Sequence, residues 1–248
     1  MSDGERRLRV LWLYPEQMNI YADRGNILFL RRRCEWRGIG FDLATAGIAD
    51  PLAAGESDLI YVGGGQDRDQ RLVAEDLRET KREQIAAHLD RGGQMLAVCG
   101  GYQLLGRFYE LGDERIEGLG LAGLETRRGS GPRLTGNIAI ETELGGVKRT
   151  LAGFENHGGR THLDATEQPL GRVLAGHGNN GRDSREGVWR DGMIGTYMHG
   201  PLLPKNAWLA DHLIASALAL PVAGLGDLDS TLEDAAHESA RAAALGSG

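Results

Sequence analysis

One cysteine stands where a nucleophile would be useful. Cys99 follows the apolar run Met95-Leu96-Ala97-Val98 and is followed at once by Gly100 and Gly101, then by Tyr102-Gln103-Leu104-Leu105. A strand ending at a cysteine, two glycines that permit a tight turn and a helix start that favours negative charge are the parts of a nucleophile elbow. Such a turn predicts an accessible thiol of lowered pKa. A stricter elbow has glycine two residues before the nucleophile, where this chain has Ala97. The thiol needs a base. His199, in Gly195-Thr196-Tyr197-Met198-His199-Gly200-Pro201, ends a predicted strand and so falls at the sheet edge where loops build sites. His157, in Phe154-Glu155-Asn156-His157-Gly158-Gly159-Arg160-Thr161, is the second candidate. His88 and His212 fall within helical patterns, and His162, His177 and His237 have no supporting context. The loop Gly63-Gly64-Gly65-Gln66 follows another short strand and offers backbone N–H groups to a ligand. Gly100 adds one from the elbow, so Gly64, Gly65 and Gly100 are the candidate oxyanion-hole donors. Nucleophile, base and donors together describe acyl transfer through a thioester. Cys34, on the apolar face of a helical stretch, reads as packing.

The elements that carry these residues alternate. Strands are expected over 8–14, 41–46, 58–62 and 95–98. Helices are expected over 23–37 (closed by Gly38), over 67–90 as one helix or two, and over 101–108. That alternation predicts an α/β fold, a mostly parallel sheet with helices on both faces. The second half changes character. Short strands over 133–143, 150–154, 171–175, 187–190 and 193–197 are separated by glycine-rich turns, and a helix follows over 205–220. Residues 8–220 read as one domain. Residues 221–248 read as a helical tail, partly flexible, that frays toward a disordered Gly246-Ser247-Gly248 end.

Composition narrows the function. The 248 residues are 41% hydrophobic and 25% charged, enough for a core without disulfides. A net charge of −7 argues against a basic nucleic-acid surface. Two cysteines in a chain this long point to a reducing compartment, and no Cys or His spacing suggests a metal site. The start Met1-Ser2-Asp3-Gly4-Glu5-Arg6-Arg7 lacks the apolar core of a signal peptide, and no apolar run is long enough to span a bilayer. The expected location is cytoplasmic.

The order of these motifs resembles that of the class I (triad-type) glutamine amidotransferases, in their cobyric-acid-synthase-like branch. Five runs are similar to the glutaminase-subunit family of lipid II isoglutaminyl synthases, over roughly residues 8–220. They are Tyr21-Ala22-Asp23-Arg24-Gly25-Asn26, Gly63-Gly64-Gly65-Gln66-Asp67-Arg68, Arg133-Leu134-Thr135-Gly136, the Phe154-to-Thr161 run and His199-Gly200-Pro201-Leu202-Leu203-Pro204-Lys205-Asn206. The resemblance implies a three-layer flavodoxin-like fold. It implies that Cys99 attacks the glutamine amide, that His199 moves protons and that Arg133 grips the glutamine α-carboxylate bidentately. Gln103 and His157 would be further substrate contacts. It implies no cofactor in this chain. The expected partner is a MurT-like Mur ligase subunit carrying ATP and Mg, joined as a heterodimer. Ammonia made here would amidate the α-carboxylate of D-glutamate in the lipid II stem peptide, giving D-isoglutamine. Many class I enzymes place a glutamate two residues after the histidine, where this chain has Pro201. The acid that orients the imidazole is therefore expected from the partner, or from Asp23 or Glu155. The alternatives are a glutaminase subunit for another amidoligase, such as a cobyrinate-amidating enzyme, a non-catalytic binding module, or a cysteine peptidase of the same general fold.

Overall fold

The computed structural model describes residues 6–20, 23–52, 54–190 and 192–246. Tyr21 and Ala22 of the first motif, the start of the chain through Glu5, and the Ser247-Gly248 end of the tail lie outside them. The first half alternates as its periodicity predicts. It runs β1 (Arg7–Leu13), α1 (Arg24–Glu35), β2 (Gly40–Ala46), β3 (Leu59–Val62), α2 (Asp67–Asp76), α3 (Arg82–Asp90), β4 (Gln94–Val98) and α4 (Gly100–Leu104). A five-residue π turn, Leu77–Lys81, joins α2 to α3. Then come β5 (Phe108–Leu111), β6 (Glu114–Glu117), β7 (Leu124–Arg128), β8 (Leu134–Leu144), β9 (Val147–His157), β10 (Gly159–Leu163), β11 (Gly171–Ala175), β12 (Arg185–Glu186), β13 (Val188–Arg190) and β14 (Met193–Thr196). The chain closes with α5 (Ala207–Ala217) and α6 (Thr231–Leu245).

The central sheet has the order β13-β14-β4-β3-β1-β2. β2, β1, β3, β4 and β14 are parallel, and β13 pairs antiparallel on the edge. Read by the parallel strands, this is the flavodoxin-like order 2-1-3-4-5. Both faces of β1 are buried. Leu8, Val10 and Trp12 join a core with α1, α5 and the β8–β9 pair. Leu11 and Leu13 join the opposite core with α2, α3 and α4. A strand buried on both sides explains the near-continuous apolar run that marks it. In this topology ligands bind beyond the carboxyl ends of the strands, where the winding direction changes. Cys99, the 63–66 loop and the segment after β1 all lie at that end.

Two smaller sheets flank this one, in the orders β10-β7-β5-β6 and β12-β11-β8-β9. β8 and β9 form a hairpin whose Gly145 and Gly146 both have positive φ, 62° and 75°. That is the two-residue turn that suits the strand twist. β9 ends at His157 and β10 begins at Gly159, so Gly158 is where the chain leaves one small sheet for the other.

The structure corrects several expected boundaries. The helix expected over 101–108 stops at Leu104, and Phe108 begins β5. Gly106 lies against Leu124, where a side chain would meet the Leu124 carbonyl, so the chain turns there instead of continuing. β5, β6, β7, β10 and β12 lie outside the strands that the sequence pattern predicts. Runs such as Glu114–Glu117 and Leu124–Arg128 are mostly charged and lack the apolar alternation that announces a strand. Among the described residues, no helix is long and apolar enough to cross a membrane.

Candidate active site

Cys99 sits on a backbone conformation that cysteine rarely takes, φ 54° and ψ −109°. The turn is strained by about 1–3 kcal/mol and persists only because its surroundings fix it. The Cys99 N–H donates to the Thr196 carbonyl on β14 at 2.8 Å. On the other side, a Cβ on Gly101 would lie 2.8 Å from the Gly63 carbonyl oxygen and 2.9 Å from that of Val62. Only glycine lets α4 start so close to β3. The glycine missing at Ala97 is supplied by the neighbouring strand. Ala97 pairs with Gly195, where any side chain would overlap the Tyr102 ring.

The resting thiol is not the lowered one that the turn predicts. Cys99 is buried, and burial first, then the nearby Asp23 carboxylate, push it up to about 12. The Gly100 N–H and the Arg133 guanidinium pull the other way, and less. α4 has only five residues, so its dipole is too small to reverse the balance.

His199 is fully buried just past the end of β14, next to β4 in the sheet. Its backbone pairs with Phe154 in both directions, at 2.9 and 3.2 Å, and its ring meets the Phe154 ring edge-on. Burial first, then the charges of His157, Lys205 and Arg133, lower it to about 4. The imidazole is therefore neutral at pH 7 and able to accept a proton. Among the described residues, the groups that set this value are all cationic or potentially cationic. Pro201, at the position of the usual acid, packs on α1 instead, with its Cγ 2.7 Å from where a Gly25 Cβ would be. Glu155 accepts the N–H groups of His177 at 2.6 Å and Gly178 at 2.9 Å, and lies 3.5 Å from His157 rather than serving His199. Asp23 accepts the Gly64 N–H at 2.7 Å.

A cavity of about 460 Å³ opens beside Cys99. Gly65, Gln103, Arg133 and His157 line it with Cys99, as their candidacy requires; His199 is not on its wall. Arg133 is held by Asn156, with Nε donating to Oδ1 at 2.7 Å and Nη2 to the backbone oxygen at 2.8 Å. That side of the fork is committed, so an incoming carboxylate meets the Nη1/Nη2 end. Arg160 fixes the same wall, donating to the carbonyls of Gly158 at 2.9 Å and Pro132 at 2.7 Å. His157 donates Nδ1–H to the Gly159 carbonyl at 2.9 Å and stacks flat on Tyr197 at 3.6 Å, which fixes its ring as part of the cavity wall. The Gln103 amide is also engaged, donating to the Tyr197 hydroxyl at 3.0 Å and accepting from Gln70 at 3.4 Å.

The oxyanion donors divide. Gly65 and Gly100 come together, since a Cβ on Gly100 would lie 3.2 Å from the Gly65 nitrogen. Gly64 packs against Cys99 but gives its N–H to Asp23. Sequence reasoning missed Asn156 as the clamp on Arg133, and it missed Gln70. It also missed Glu186, a fully buried carboxyl that accepts from the Thr196 hydroxyl and the Tyr197 N–H, both at 2.7 Å. Glu186 stands in a two-residue strand between loops, with no local pattern to reveal it. Among the described residues, no group of three or more His, Cys, Asp or Glu could hold a metal ion.

Residues 9–207 match the CobB/CobQ-like glutamine amidotransferase domain. The chain is 41% identical over 213 residues to the GatD subunit of the glutamine-hydrolysing lipid II isoglutaminyl synthase of Streptococcus pneumoniae, covering 86% of this chain and 81% of that one. It is 39% identical to the GatD subunit from Staphylococcus aureus, covering 85% and 84%. Among solved structures, PurLQS from Thermotoga maritima aligns with a TM-score of 0.55 at 20% identity, over 87% of this chain and 96% of that one, which is a likeness of fold.

Proposed function

The chain belongs to the CobB/CobQ-like glutamine amidotransferase family, and from that premise we propose that it is the glutamine-hydrolysing subunit of a lipid II isoglutaminyl synthase. The observation that carries the reading is the cavity itself. It has a cysteine on a strained turn at one end and a guanidinium, already clamped by Asn156, on its wall.

The chemistry follows from these positions. The Arg133 Nη1/Nη2 end takes the α-carboxylate of glutamine and orients the side-chain amide toward Cys99. His199, neutral at pH 7, takes the thiol proton as Sγ bonds to the amide carbon. It returns that proton to the departing nitrogen, and ammonia leaves. The oxyanion formed between these steps is met by the N–H groups of Gly65 and Gly100, which lie together beside Cys99. Water, deprotonated by the same imidazole, cleaves the thioester and releases glutamate.

The ammonia would pass to a MurT-like Mur ligase subunit, with ATP and Mg on that partner. There it would amidate the α-carboxylate of D-glutamate in lipid II, in the cytoplasm. The acid that orients His199 would come from the partner. In support, Pro201 occupies the usual place and packs on α1. The test is glutamate release from glutamine by the chain alone and after co-purification with a MurT-like subunit, followed by glutamine-dependent amidation. Cys99→Ala should abolish hydrolysis in both settings, and the partner should raise the wild-type rate by about 10-fold or more. Hydrolysis of peptides but not glutamine would overturn the reading.

A further inference from the structure

One amide of the glycine loop beside Cys99 is held by a carboxylate. The Gly64 N–H, placed by sequence among the oxyanion donors, is bound to Asp23 Oδ2 at 2.7 Å. Asp23 is fully buried, and its other oxygen, Oδ1, has no hydrogen-bond partner among the described residues. The carboxylate, the loop and the nucleophile are in one contact. A Cβ on Gly63 would lie 2.9 Å from Asp23 Oδ2, and one on Gly64 would lie 3.1 Å from the Cys99 Cβ. An N–H that serves a carboxylate cannot serve a tetrahedral oxyanion at full strength.

We propose that Asp23 is a positioning residue that latches the Gly64 amide, so that the oxyanion hole stays incomplete until the carboxylate lets go. The proposal rests on the glutaminase reading above. Asp23 acts on the reaction twice, through the amide it holds and through its charge, which opposes a thiolate at Cys99. Among the described residues, the titratable groups facing it are two. β3 presents the Tyr61 hydroxyl, which donates to the Asp23 backbone oxygen at 3.3 Å, and the turn after β4 presents Cys99. α1 presents the uncharged Asn26. Burial pushes the carboxyl up to about 7, against the pull of the Gly64 N–H. Uptake of one proton from solvent near neutral pH thus weakens its hold on the amide and removes the charge beside the thiol.

The test uses the full chain with Asp23→Asn and Asp23→Ala. The first readout is the pH midpoint of iodoacetamide alkylation at Cys99, located by peptide mass. It should fall by about one unit in both variants. The second is basal glutamine hydrolysis. The kcat should rise about 10-fold in Asp23→Ala and less in Asp23→Asn, whose amide oxygen can still accept the Gly64 N–H. An unchanged alkylation midpoint together with a lowered kcat, in variants that melt like wild type, would reduce Asp23 to scaffolding and overturn the latch. If Asp23→Ala does not fold, the near-isosteric Asp23→Asn carries both readouts. A fallen midpoint with kcat unchanged or lowered would show Asp23 acting through its charge alone and would also overturn the latch, whereas no glutamine hydrolysis by wild type or either variant, with or without a ligase subunit, would sink the glutaminase reading itself.

Discussion

At the residue scale, Arg133 shows how much a side chain's existing bonds matter. Its Nε–H and one Nη2–H go to Asn156, which leaves Nη1 and the other Nη2–H for the carboxylate in the proposed reaction. A lysine has no fork and cannot hold Asn156 twice while gripping a carboxylate. Arg133→Lys should raise the KM for glutamine by about 10- to 100-fold with a smaller change in kcat, because the lost contact is made equally in ground and transition states. A matching loss in kcat at constant KM would place Arg133 at the reacting atoms instead. Cys99 and Arg133 stand out in sequence because their types and neighbours are unusual together, and the structure places both on one cavity. His199 stands out from its place at a predicted strand end, and the structure puts it just past β14. The state of Cys99 was not legible in sequence. The turn suggested a lowered thiol, but burial and a carboxylate that folding brings from another segment push it up to about 12.

At the scale of elements, the elbow depends on backbone packing against backbone. A Cβ at Gly101 would press on two carbonyl oxygens of the β3 end, and neither can swing aside as a side chain could. Gly101→Ala should cost about 1–3 kcal/mol and lower Tm by about 2–10 °C, measured by thermal melts. It should also lower kcat more than stability alone explains, because the strand end it displaces leads into the glycine loop. The alternating first half was readable because β1, β3 and β4 are buried on both faces and so appear as apolar runs. The strands from 108 to 128 were not, because β6 and β7 carry Glu and Arg at most positions. Their place is set by pairing with distant strands: β7 takes β10 through the register Thr126–Thr161, and those two hydroxyls meet at 2.7 Å. No local pattern records such a partner.

At the scale of the whole molecule, three buried titratable groups tie stability to pH. Glu186 is raised from 4.5 to about 7 and Asp23 from 3.8 to about 7, mainly by burial. Each contributes stability that is fully present below its unfolded value and is lost as pH rises through 7. His199 has the opposite sign. Lowered to about 4 by burial, it costs stability as pH falls from 6.5 toward 4. Glu186→Gln keeps the shape and removes one titration. Its stability relative to wild type should climb between pH 5 and pH 8, toward a difference of about 3 kcal/mol at most, followed as a growing gain in Tm. A flat difference across that range would mean that Glu186 is already solvated when ionised. The same protonated, enclosed Cys99 has a consequence for durability. Oxidants such as peroxide attack thiolates, and a thiol held near 12 offers almost none at neutral pH. Held in that state, the sulfur is sheltered from sulfenic acid formation, and an unshifted peroxide reactivity in Asp23→Asn would show that burial alone provides the shelter.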